Sequence, residues 1–362
     1  MTSNGNSGKS PDLGIIGAGV LGLWTAWKAL DAGMSVRVLD RTRIGKGASG
    51  GVLGALMPHR PSQWTASKQF QLDALITLGS EIVALEAVAG ISCGYRRCGR
   101  LMPIDTDKRL DEHRSWQQAA GENWAGTDAR WNIMDKLPDG WPMSQALAYD
   151  FDTLSARVNP RALLAALAAG VRARGGEIAE GEAVAGPDDL VAGKVVIAAG
   201  HDSFALAGTP QAGWGVKGQA VLLEPASSLP DDLPILYRGG TYVVRHDDGR
   251  VAVGSTSQRD FADDRPESGT TARLLADGIS LCPALAGATI VESWAGIRPR
   301  AAARQPMIGP MPASARVIMA TGGFKITLGI AHTMADAAVA FARGEAPELP
   351  PGFTPAEQLA SV

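Results

Sequence analysis

Two groups of residues in this chain have the types and spacing to do chemistry. Gly17, Gly19 and Gly22, within GAGVLG, follow a G-x-G-x-x-G spacing. The first glycine allows a tight turn, the second lets a diphosphate approach the backbone, and the third permits close packing of helix on strand. Ala18, Val20 and Leu21 lie between them, where backbone N–H groups at a helix N-terminus favour an anion. Asp40 falls near the ~20-residue offset at which a carboxylate accepts from ribose hydroxyls, with Arg41 beside it. The second group is Arg298 and Arg300, in WAGIRPR (294–300), a run that otherwise reads as a buried strand. A guanidinium there needs an anion or water, because an unpaired buried charge is expensive. The competing reading is a structural ion pair or a solvated strand end.

The elements that position these residues can be read from periodicity. Residues 13–40 read as a strand, a helix with Val20, Leu23, Trp24, Trp27 and Leu30 at helical spacing, a stop at Gly33, and a second strand. That is a βαβ unit. A glycine-rich loop follows between Asp40 and Pro61, long enough to be functional. Residues 63–89 predict a helix with Phe70, Leu72, Leu75, Ile76, Ile82, Val83 and Leu85 on its apolar side. The stretch 91–150, rich in Trp, Gly, Pro and Asp, resists assignment. Asn-Pro at 159–160 and Gly-Gly at 175–176 bracket another helix, leading into strand-like GEIAEGEAV and GKVVIAAG. Residues 216–224, 241–246 and 250–254 alternate as antiparallel strands, with a hairpin signal at Asp247-Asp248-Gly249. Residues 315–344 read strand, glycine turn, helix. On an unbroken strand Arg300 points to the same face as Arg298, and Pro299 is expected to break the strand between them.

With parallel-type elements at the start, middle and end, the expected fold mixes α/β and α+β parts. A discontinuous Rossmann-like domain (1–60, 150–210, 300–362) is interrupted by a mostly antiparallel-sheet substrate domain (61–149, 211–299). At 362 residues about two domains are expected. A net charge of −3 without long runs excludes the basic footprint of a nucleic-acid binder. Three cysteines, Cys93, Cys98 and Cys282, fit no disulfide framework or zinc spacing, as suits a reducing cytosol. His113, His201, His246 and His332 form no recognisable metal or nucleophile constellation, so no metal is expected. The polar lead MTSNGNSGKSPD lacks a signal-peptide core and is expected to be disordered. No apolar run is long enough to span a membrane, so a cytoplasmic location is expected; the oligomeric state, a homo-oligomer included, stays open.

NAD and FAD both use this glycine fingerprint. Its place near the start of the sequence, and the second glycine-rich segment RIGKGASGGVLGALMP, favour FAD. With GASGGVLGALMP (47–58), VVIAAGHDS (195–203), GVKGQAV (215–221), YVVRHDDGRVAVGST (242–256), WAGIRPR, PMIGP (306–310) and ATGGFKITLG (320–329), the chain resembles the D-amino-acid oxidase superfamily, in its glycine oxidase and sarcosine oxidase branch.

The resemblance implies roles residue by residue. Ala48 and Ser49 would touch the diphosphate and line the flavin, with Ala55 and Leu56 following; Val184 would pass the adenine, and Ala199 and Gly200 would lie close to the cofactor. The turn Gly322, Gly323, Phe324, Lys325, Ile326 and Thr327 would meet the isoalloxazine, where a helix N-terminus stabilises the reduced flavin's negative charge. Arg298 would pair with a substrate carboxylate, Tyr242 would reach the substrate, and Lys325 would serve substrate or flavin. The chain departs from its relatives at Ala303, where they often carry an acid, and His59 has no covalent-attachment motif around it, so a non-covalent FAD is expected. The implied reaction is C–N oxidation of a small amino acid or secondary amine by hydride transfer to flavin N5, with oxygen or an electron carrier as final acceptor. The alternatives are a tRNA wobble-uridine-modifying flavoenzyme, a flavin-binding subunit of a larger complex, or an ordinary NAD-dependent dehydrogenase.

Overall fold

The computed structural model describes residues 10–360; residues 1–9 of the polar lead lie outside it. Strand β1 (Leu13–Ile16) is buried along its whole length at the centre of a six-stranded sheet. It pairs in parallel with β2 (Val36–Asp40) on one side and β9 (Lys194–Ile197) on the other. β8 (Glu177–Glu180) continues the sheet beyond β2, and β16 (Ser314–Thr321) continues it beyond β9, both in parallel. β15 (Met307–Met311) closes the edge antiparallel to β16. One face of this sheet is covered by α1 (Val20–Asp31), α4 (Pro160–Ala173) and α7 (Thr327–Ala342). Ile16, Leu39, Val195 and Ile197 point to the other face, against Phe204 of the short α5 (Ser203–Leu206). The sequence expectation of three separate segments building one sheet is met.

Helix caps explain several boundaries. Asn159 accepts from the Arg161 and Ala162 N–H groups and Pro160 opens α4 at its first position. Helix α2 (Ala66–Ala89) starts where the Thr65 hydroxyl accepts from the Lys68 N–H, and stops at Gly90 in the left-handed region. Its buried face is Leu72, Leu75, Leu78, Ile82 and Leu85, packed with α1, α4 and α7 in the core on one face of the six-stranded sheet. Two residues expected on that face are not there: Ile76 is 36% exposed and Val83 68% exposed. Each sits one residue past a buried position, about 100° round the helix, and so turns to solvent.

A second sheet of eight strands runs in the order β14, β10, β13, β12, β11, β4, β6, β5. These are β14 (Thr289–Ala301), β10 (Gly213–Glu224), β13 (Val251–Gly254), β12 (Thr241–Arg245), β11 (Ile235–Arg238), β4 (Arg100–Ile104), β6 (Ala148–Asp152) and β5 (Trp131–Met134). All its pairings are antiparallel except β4 with β11. Helix α6 (Ser268–Leu281) covers one face, burying Leu274 and Leu281 with Val221, Val243 and Val253. The unassigned stretch 91–150 supplies β4, β5, β6 and α3 (Asp107–Asn123). A small ribbon of β3 (Ala55–Leu56) and β7 (Ala156–Arg157) ties the second glycine-rich loop in place, and α8 (Pro355–Leu359) packs on β15.

Pro299 does not break β14, contrary to expectation. The strand continues through it to Ala301, with Pro299 paired to Gly215. β14 is an edge strand, where a missing N–H is tolerated. No helix of the described residues is long and apolar enough to cross a membrane. The three thiols are free, and burial pushes Cys93 up to about 12 and Cys98 and Cys282 up to about 11.

Candidate active site

The end of β1, the first turn of α1 and the two glycine-rich loops surround a cavity of about 600 Å³. Its first end is made by local sterics. Gly17 has φ +111°, and a Cβ on Gly22 would lie 1.9 Å from the Gly17 carbonyl oxygen, so both positions need glycine. Gly19 caps α1 without any side-chain bond, and the Val20 N–H donates to Ser49 Oγ at 3.0 Å. Asp40 braces the loop: one carboxylate oxygen accepts from the Ala18 N–H at 2.8 Å, the other from the Thr42 N–H at 2.8 Å and hydroxyl at 2.9 Å.

Gly17, Gly19, Val20, Leu21, Asp40, Arg41, Ala48, Ser49, Val184, Ala199 and Gly200 all line this cavity, and so do Arg298 and Gly322, Gly323, Phe324, Lys325 and Thr327 at its far end. Ala18 is fully buried and Gly22 is pressed on Gly17, so neither lines it. Arg41 sits at the rim, ion-paired with Asp202 at 2.8 Å. Val184 reaches the cavity from a loop, since β8 ends at Glu180 before Gly181 at φ +78°. A long groove with a backbone-walled helix N-terminus and an acid beside it fits FAD, whose nucleotide end Gly17, Gly19, Val20, Leu21, Ser49 and Asp40 would hold and whose other end Gly322 to Lys325 would meet.

A second cavity of about 140 Å³ adjoins the first, sharing Ala48, Arg298, Lys325 and Leu328 with it. Ala55, Leu56, Ile326 and Tyr242 line this one. Sheet register builds its floor. Trp294 pairs with Ala220, Ala220 with Gly254, and Gly254 with Tyr242, so the four share one face in one row across β14, β10, β13 and β12. Two aromatic walls thus stand either side of a small floor. Met57, Leu75 and Leu328 add apolar surface, and Gln71 is occupied in holding the loop, accepting from the His59 N–H and donating to the Met57 carbonyl.

Arg298 lies on that same face. Burial lowers it to about 10, so it remains a cation at neutral pH. Its one hydrogen bond, from Nη1 to the Thr256 carbonyl at 3.1 Å, is to a neutral group, and no ion pair of the described residues includes it. Lys325 is lowered by burial and then by Arg298 and Arg300. Tyr242 is pushed up to about 12 by burial and by Tyr237, whose ring lies 4.8 Å away, so its hydroxyl keeps its proton. Arg300 lines neither cavity: its guanidinium lies 4.6 Å from the centre of the Phe324 ring and its backbone bridges to Gly323. It holds the C-terminal turn, in which Phe324 has φ +48°.

Sequence reasoning missed Trp294, Met57, Gln71 and the Thr256 carbonyl. Only Trp294 left a signal, since two strand steps of two residues back from Arg298 put it on the same face.

Relatives supply an independent view. The glycine oxidase of Pseudomonas putida is 30% identical over 82% of this chain and 85% of its own. That of Bacillus licheniformis is 26% identical over 88% and 89%. The crystal structure of glycine oxidase from Geobacillus kaustophilus shares the fold with a TM-score of 0.84 at 21% identity, covering 95% of this chain and 98% of that one. Residues 12–337 match the DAO family, described as FAD dependent oxidoreductase, and with a cavity whose residues fit that cofactor the chain belongs to this family of FAD-dependent enzymes.

Proposed function

We propose that this enzyme oxidises the C–N bond of a small amino acid or N-alkyl amino acid whose carboxylate pairs with Arg298. The observation that carries this reading is a guanidinium facing a 140 Å³ cavity without an acidic partner. A buried cation left in that state costs free energy that a bound carboxylate offsets, and the planar fork suits bidentate pairing. The Tyr242 hydroxyl, proton retained, donates to the same carboxylate, and Lys325 adds a second positive charge to the wall. Trp294, Met57, Leu75 and Leu328 exclude water and admit only a short apolar substituent. FAD, when bound, supplies the acceptor for the two electrons and the α-hydrogen. The N-terminus of α7 and Lys325 present positive potential to negative charge that develops beside Gly323. The oxidised substrate leaves as an imine, which water hydrolyses. His59 lines neither cavity, and we take the flavin as non-covalent.

Anaerobic mixing of the yellow protein with a panel of amino acids, N-alkyl amino acids and their decarboxylated amines tests this. Bleaching of the visible flavin band is expected with carboxylate-bearing members and not with their decarboxylated counterparts. Bleaching by no member of the panel, or equally by both sets, would sink the reading.

A further inference from the structure

The Arg298 guanidinium rests on a backbone position rather than in a ring of side chains. Across β10 and β14, Arg298 pairs directly with Val216, and Gly296 pairs with Gly218. Directly paired residues share a face, so Gly218 is the diagonal neighbour of Arg298, within reach of a long side chain. A Cβ added to Gly218 would stand 2.1 Å from Nη2 and 2.2 Å from both Cζ and Nη1. It would therefore occupy the guanidinium's own place. Gly218 is not in the left-handed region, so its backbone does not itself demand glycine. The neighbouring residues supply a latch: the Gln219 N–H donates to the Thr256 hydroxyl at 3.0 Å and the Thr256 N–H to the Gln219 carbonyl at 3.2 Å, and this fixes the Thr256 carbonyl that accepts from Nη1.

We propose that Gly218 is a positioning residue, the seat on which the Arg298 guanidinium lies so that its free edge faces the small cavity. The proposal rests on the reading of Arg298 as carboxylate anchor. Any β-carbon at 218 displaces the guanidinium, the flexible end of its side chain, and leaves the sheet intact.

The test uses the FAD-loaded enzyme, with acetate as probe and the perturbation of the flavin spectrum as readout. Gly218→Ala should retain FAD and weaken acetate binding about tenfold, equivalent to ~1.4 kcal/mol. The KM of a carboxylate-bearing substrate should rise by a similar factor, with kcat changed less. In an Arg298→Leu background, adding Gly218→Ala should cost nothing further in kcat/KM, because the two changes act through one contact. Wild-type acetate affinity in Gly218→Ala, or an undiminished second loss in the Arg298→Leu background, overturns the seat while leaving the anchor standing. Wild-type enzyme blind to acetate overturns the anchor, and the seat with it. Should Gly218→Ala fail to fold, Gly218→Ala/Arg298→Lys removes the guanidinium that crowds it and should recover FAD and melting temperature. Failure of that recovery places the crowding elsewhere and defeats the proposal.

Discussion

Arg100 and Arg298 flank one tyrosine pair on the same sheet and meet opposite fates. Arg100 is 5% exposed, with its Nε 2.8 Å from an Asp152 oxygen and its guanidinium over the rings of Trp131 and Tyr237. Asp152 is itself fully buried and also accepts from the Ser155 N–H and hydroxyl. Tyr237 packs against Tyr242 with the rings tilted, and beyond Tyr242 lies Arg298, held by one carbonyl and facing a cavity. The protein closes the first charge with a carboxylate of its own and gives the second no acid. A buried arginine therefore says little about function until its acid is looked for. The difference lies in the partner, not in the residue.

The largest effect is expected at the closed arginine. Asp152→Ala should destabilise the fold by about 3–5 kcal/mol, because it strands a buried guanidinium. Urea unfolding of the FAD-loaded protein measures this, and a loss below about 1 kcal/mol would mean that Arg100 finds another partner. At the open end the cost should fall on activity. Arg298→Leu should lower kcat/KM for the substrate by about 2–5 kcal/mol, roughly 30- to 5,000-fold, with stability unchanged or raised. Matched losses in both measurements would make Arg298 structural, like Arg100.

The smallest effect is a titration. Lys325 is depressed by burial and by its two arginine neighbours, so it loses its proton at a pH below its usual value of 10.5. The cavity is most positive below that lowered pKa, and carboxylate binding should weaken as pH rises through it. In a pH series of KM, wild-type enzyme should show this alkaline rise and Lys325→Met should lack its Lys325 component. The stability sign runs the other way. A base whose folded pKa is lowered holds fewer protons when folded, so this group favours folding increasingly as pH rises between the two values.

What could be read from the chain divides along the same line. The βαβ unit, the Asn159–Pro160 start of α4, the Asp247–Gly249 turn and the glycine turn before α7 all rest on signals a few residues apart. The stretch 91–150 gave nothing because its strands are defined by distant pairings, Arg100 with Asp152 and Ile235 with Arg100. Val184 lies beyond a strand that ends at Glu180, before Gly181, and Pro299 sits in a strand whose edge position makes the proline harmless. In the site itself Arg298, Tyr242 and Lys325 were named from resemblance, but Gly218 stood in a quoted motif without a role.

Short-range demands alone account for the Gly17-to-Asp40 end of the cavity. Gly17, Gly19, Gly22 and Asp40 answer to steric and hydrogen-bonding demands met within some thirty residues, and local demands leave local signatures. Which arginine stands open is settled by three-dimensional packing. Ion pairing and register join residues that lie tens of positions apart, Arg298 to Gly218 and Thr256, Arg100 to Asp152, and no spacing along the chain encodes whether an acid will arrive.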